Sequence, residues 1–125
     1  MTGKKLSPVI TRGDLSNSEN REHKRPFFDA DIRAIFEKAI DKWGEQFQLN
    51  MVAEECCELA KAALKVNRKL NGYTMEQVID EMVDVYIMLG QLEVILDRWN
   101  TFNVNRLIVT RFDEKMKRLK GLLSI

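Results

Sequence analysis

Two runs of apolar residues at helical spacing, separated by a break of four residues, constrain this chain more than any other feature. Leu49, Val52, Cys56, Leu59, Ala63, Val66 and Leu70 step by three and four, and Val78, Met82, Val85, Leu89, Leu92 and Leu96 do the same. That rhythm belongs to long amphipathic helices, each presenting an apolar seam. Between them lies Asn71-Gly72-Tyr73-Thr74. Gly72 suits a helix stop, Thr74 suits an N-cap, and Gln77 three residues on completes a capping-box pattern. A connection this short makes the two helices antiparallel neighbours.

The flanking segments follow the same logic. After Pro26, the stretch from Phe28 to Trp43 places Ile32, Ile35, Phe36, Ala39 and Ile40 at helical spacing, with Asp29 as N-cap and Gly44 as break. A fourth helix is expected from Val104 to about Leu119, with Leu107, Ile108, Phe112, Met116 and Leu119 on its apolar face. No segment alternates like a strand. The expected fold is all-α, a four-helix-bundle-like domain over residues 26–125 with two long antiparallel central helices. Residues 1–25, rich in polar residues and carrying six Lys/Arg against three Asp/Glu, are expected to form an irregular tail, mobile or draped on the surface.

Composition narrows the class of function. The 125 residues fit one domain with a modest core. A net charge of +1 gives no overall pull toward nucleic acid or anionic lipid, so nucleic-acid binding is not indicated. No stretch has the length and apolarity of a membrane span or signal peptide. The two cysteines, Cys56 and Cys57, are neighbours on a helix and point about 100° apart, which disfavours a disulfide between them. A cytoplasmic, reducing location is expected, with Cys56 packed in the core.

The chemistry lies beside the seams. Glu54-Glu55-Cys56-Cys57-Glu58-Leu59 on one helix is matched by Asp80-Glu81-Met82-Val83-Asp84-Val85 on the next. Glu55 and Glu58, and likewise Glu81 and Asp84, are three apart and each immediately precedes a seam residue, so each pair shares a face bordering the core. A single Glu-x-x-Glu is common on a solvated helix. Two copies in the same phase on adjacent antiparallel helices bring four carboxylates together, where they repel unless a cation sits among them. An all-oxygen set suits Mg²⁺, Mn²⁺ or Ca²⁺ rather than Zn²⁺, and Mg²⁺ commonly bridges to substrate phosphates. The single histidine, His23, falls in the basic tail, away from every acidic pair. Because Glu55 and Glu58 lie further from Gly72 than Glu81 and Asp84 do, the first long helix must end early, near Val66 or Asn67, or its loop must be asymmetric.

With these motifs in view, the series Trp43-Gly44, Glu54-Glu55-x-x-Glu58-Leu59 and Glu81-x-x-Asp84 resembles the all-α nucleoside triphosphate pyrophosphohydrolases, the MazG-like superfamily, over about Phe36 to Leu119. The resemblance implies Mg²⁺-dependent cleavage of an NTP or dNTP to the monophosphate and pyrophosphate, by a homodimer or homotetramer. It makes Glu55, Glu58, Glu81 and Asp84 the metal ligands, with Mn²⁺ as a possible substitute. It also implies phosphate contacts from the helix that follows, where Arg111-Phe112-Asp113-Glu114-Lys115 matches a family Lys-Phe-x-x-Arg pattern with the two bases exchanged. The usual asparagine near this point is absent at Thr110, with Asn105 an unaligned substitute.

Other positions carry two readings each. Lys61, with Lys65 and Arg68, either serves the phosphates or pairs with acids on its own helix. Trp43 either stacks on a nucleobase, with Gln46, Gln48 or Asn50 reading its edge, or simply packs. Glu54 stands next to the ligand pair and is the candidate for positioning or deprotonating the attacking water. Trp99 and Phe102 are expected to pack. Met51, Ile79, Tyr86, Ile87 and Met88 widen the apolar stripe beyond what one bundle covers, which points to a partner subunit. The alternatives to a nucleoside triphosphate pyrophosphohydrolase are a phosphoribosyl-ATP pyrophosphatase and a non-catalytic helical oligomerisation scaffold.

Overall fold

A computed structural model of the chain describes residues 29–68 and 74–125. The expected tail, Pro26, Leu70 and Gly72 lie outside the described residues. Within them are four helices and no strand: α1 (Ala30–Trp43), α2 (Glu45–Asn67), α3 (Met75–Trp99) and α4 (Val104–Leu123). The all-α, bundle-like fold is as expected, with α2 and α3 the long central pair.

The helix ends form where local chemistry dictates. The Asp29 carboxylate accepts from the Ile32 backbone N–H at 2.9 Å, and α1 starts there. At Thr74 both halves of the capping box are made: the side chain accepts from Gln77 N–H at 3.4 Å, and the Gln77 carbonyl accepts from Thr74 N–H at 2.7 Å. α2 ends at Asn67, the first of the two alternatives that the spacing of the carboxylates left open.

Gly44 turns α1 into α2 in a single residue. Its N–H donates to Ile40 O at 2.7 Å, closing α1, and its carbonyl accepts from Gln48 N–H at 3.1 Å, opening α2. It does both at φ 92° and ψ 151°, a region that only glycine enters without strain. Because a Cβ there would meet nothing within 4 Å, the cost of a side chain is purely conformational. Gly44→Ala is therefore expected to destabilise the fold by about 1–3 kcal/mol, read from urea unfolding midpoints.

The main core lies where α1 crosses the C-terminal half of α3. Phe36 and Ile40 pack with Val94 and Ile95, and Ile32 and Leu49 close the cluster. Ion pairs tie the same junction at its surface: Arg33 to Asp97 and Arg98 to Asp41, each at 2.9 Å. Trp99 Nε1 donates to the Glu45 carboxylate.

Four packing expectations need correction. The seam of α2 is rotated by one residue. Gln48 and Ala62 are its buried positions and Glu55, midway between them on the same heptad line, is half-buried, whereas Cys56, Ala63 and Val66 are exposed. On α3 the buried positions are Val85, Met88, Gly90, Gln91, Val94 and Ile95, while Met82 and Leu89 are exposed. The physical reason is that α2 has two neighbours: Leu49 serves the cluster with α1, so the line facing α3 falls on 48, 55 and 62. Cys56 is accordingly an exposed free thiol rather than a core residue. Trp99 and Phe102 are each more than half exposed instead of packed inside. Finally, α4 buries only Val104; its stripe of Leu107, Phe112, Met116 and Leu119 faces outward. α4 is covered only near its N-terminal end, and residues 110–125 are exposed.

Candidate metal centre

α2 and α3 run side by side for most of their length, and their facing sides carry acids at one level. Glu55 from α2 and Glu81 and Asp84 from α3 each offer a carboxylate oxygen, and the three oxygens lie within 4.8 Å of one another. Glu81 and Asp84 are one helical turn apart, so both reach the same point, and the rotation of the α2 seam turns Glu55 inward to meet them. Three carboxylates this close would share a single hard divalent cation.

The electrostatics carry the same signature. Burial raises the Glu55 carboxyl above its ordinary 4.5, and the charges of Asp84, Glu81, Glu58 and Glu54 push it further. The Glu81 carboxyl is also raised, by desolvation first and then by Glu58, Asp84 and Asp80. Among the described residues, the charges acting on both carboxyls are all acidic. The donor set fits a hard divalent cation: carboxylate oxygens only, two half-buried on Glu55 and Glu81 and one exposed on Asp84.

This fixes the sign of a pH effect in the metal-free protein. A carboxyl whose folded value is raised binds its proton more tightly folded than unfolded. The stability it contributes is present below its unfolded value near 4.5 and is lost as the pH rises through the higher folded value. In EDTA, melting temperature is expected to fall as pH is raised across that window. Glu55→Gln/Glu81→Gln, which cannot titrate there, should flatten the profile.

The expected site residues are only partly brought together. Glu58 is exposed and acts on Glu55 and Glu81 through its charge, but it is not one of the three converging carboxylates. Glu54 is likewise exposed at the margin. Asp80, not singled out from the sequence as a site residue, adds its charge on the Glu81 side. Lys61 is exposed, two turns beyond Glu54, and among the described residues it makes no ion pair.

The base-binding and phosphate-binding candidates lie at a distance within one chain. Trp43 is 53% exposed with Lys42 Nζ 5.3 Å from its ring centroid, and Gln46 is exposed. Gln46 lies nine residues before Glu55, about 14 Å along the helix axis. Gln48 is not available to read a base edge: it is buried and donates to the Gln91 side-chain carbonyl on α3. Arg111 pairs with Glu114 at 3.0 Å, and with Lys115 it edges an apolar groove of about 440 Å³ lined by Leu96, Phe102, Leu107, Ile108 and Phe112. Leu96 is twelve residues beyond Asp84 on α3, about 18 Å along its axis. Asn105 and Thr110 are exposed, the latter donating to Arg106 O at 3.0 Å.

The buried Gln48–Gln91 pair is the feature that sequence reasoning missed. A glutamine in a helix reads as surface, and only the seven-residue offset of Gln48 from Glu55, and of Gln91 from Asp84, could have signalled it. Among the described residues no helix is long and apolar enough to cross a membrane. No family model, no curated protein and no solved structure matches the chain.

Proposed function

We propose that the chain is a divalent-cation-dependent nucleoside triphosphate pyrophosphohydrolase, using Mg²⁺ or Mn²⁺ held by Glu55, Glu81 and Asp84. The observation that carries this reading is the convergence of those three carboxylates from two helices, where, among the described residues, the charges acting on Glu55 and Glu81 are all acidic. The resemblance of the Glu-x-x-Glu and Glu-x-x-Asp pairs to MazG-like enzymes supplies the substrate class.

The cation, when bound, would neutralise phosphate oxygens and lower the pKa of a coordinated water. The chain's own part is to hold and to accept. Glu55, Glu81 and Asp84 would hold the ion against the α2–α3 face. Glu54, exposed beside the cluster, takes the proton of the attacking water in this reading. As that water's oxygen bonds to the α-phosphorus, the bond to the pyrophosphate oxygen breaks, and pyrophosphate leaves in line.

Assembly belongs to the same reading. Arg111 and Lys115 are too far along the bundle to serve the cluster of their own chain, so a phosphate role for them requires a second copy. The outward stripe of α4 and the exposed Met82, Val83, Tyr86 and Ile87 of α3 give that copy an apolar surface. A homodimer or homotetramer is expected by light scattering at tens of micromolar. Phe112→Glu with Met116→Glu should shift the protein toward monomer; a parent that is already monomeric would contradict the assembly.

The reaction itself is tested by a panel of NTPs and dNTPs with phosphoribosyl-ATP alongside. Pyrophosphate release from at least one nucleoside triphosphate supports the reading; turnover of phosphoribosyl-ATP alone would move the chain to the sister activity.

A further inference from the structure

The least expected residues in the bundle interior are two amides. Gln48 and Gln91 are 3% and 5% exposed, and the Gln48 side-chain N–H donates across the α2–α3 seam to the Gln91 carbonyl. Among the described residues the remaining side-chain contact of the pair is weak, from Gln91 Nε2 to Met88 Sδ at 3.8 Å. Two buried amides that satisfy one another contribute little to stability compared with apolar residues of the same size. Their value lies in specificity: a slide of either helix leaves both amides facing apolar groups with nothing to bond.

Their position gives that specificity a use. Gln48 precedes Glu55 by seven residues on α2, and Gln91 follows Asp84 by seven on α3. On antiparallel helices these are the same axial step, about 10 Å, so the amide pair and the carboxylate cluster are successive layers of one seam in one register. The cluster works against that register. Glu55, Glu81 and Asp84 repel one another across the seam, and sliding or splaying the helices relieves the repulsion. Apolar layers resist a slide weakly, because one turn of displacement returns ridges to equivalent grooves. A hydrogen-bonded pair does not tolerate the slide.

We infer that Gln48 and Gln91 are positioning residues, an interhelical clamp that holds α2 and α3 in the one register where Glu55, Glu81 and Asp84 converge to receive a divalent cation. The inference rests on reading that cluster as a cation site. It assigns the amides no contact with cation or substrate; they act through the spacing of the carboxylates.

The test compares the full-length parent with Gln48→Met/Gln91→Met, which keeps the length of both side chains and removes the hydrogen bond. Mg²⁺ affinity is measured by calorimetry and melting temperature in EDTA, on the same samples. The double variant is expected to melt at or above the parent temperature while its Mg²⁺ affinity falls at least about tenfold, a separation that a merely structural pair would not give. Gln91→Met alone, which strands the Gln48 amide, should melt below both. Mg²⁺ affinity within twofold of the parent in a folded double variant would overturn the clamp and leave the cation site standing. A parent with no Mg²⁺ binding would remove the cation reading, and the clamp with it. If the methionine pair fails to fold, Gln48→Leu/Gln91→Leu repeats the measurement; failure of both would mean the amides hold the bundle rather than its register, and the proposal falls.

Discussion

Glu55→Gln and Asp84→Asn are each expected to lower turnover by at least about 100-fold, because each removes a ligand charge from a set of three. The same substitutions should leave the metal-free protein as stable as the parent or slightly more so. Each keeps the side chain's size and removes one member of a repelling cluster, and for Glu55 it also removes a partly buried charge. Melting temperature in EDTA, measured beside turnover in Mg²⁺, separates this outcome from its rival. If the acids formed only a solvated face, both quantities would barely move. If they were structural, fold and activity would be lost together. Glu58→Gln should have a smaller effect than either, since Glu58 stands outside the converging set.

Adding Mg²⁺ to the parent should raise its melting temperature with the logarithm of its concentration above Kd, stability gaining about 2.7 kcal/mol at a hundredfold excess over Kd. The gain should be larger at neutral pH than near 4.5, where protons compete for the raised carboxyls of Glu55 and Glu81. Glu81→Lys sharpens the point. Its ammonium would stand between Glu55 and Asp84 in the place of the ion, so the variant should melt above the metal-free parent, ignore Mg²⁺ and lack activity. A Glu81→Lys protein that still gains stability from Mg²⁺ would place the ion elsewhere.

The features legible in the sequence were those that local chemistry decides. Asp29, Thr74 with Gln77, and Gly44 mark helix ends because cap hydrogen bonds and backbone conformation involve only near neighbours. The acidic pairs were legible because spacing by three fixes a shared face on any helix. What the sequence left open was decided between helices. The apolar band of α2 permits two seam phases one residue apart, and only the presence of α1 beside Leu49 chooses the one that exposes Cys56 and turns Glu55 inward. An outward amphipathic face on α4 has the same pattern as one covering its own core, so Phe112 and Met116 looked buried. Gln48 looked like surface until Gln91 was seen to face it.

The most direct test of the central claim is the phosphorus product of nucleoside triphosphate hydrolysis by the full-length chain, with and without divalent cation. The expected result is pyrophosphate and nucleoside monophosphate in Mg²⁺ or Mn²⁺, no turnover in EDTA, and none in Glu55→Gln under either condition. Orthophosphate as the product, or turnover that survives EDTA, would contradict the account.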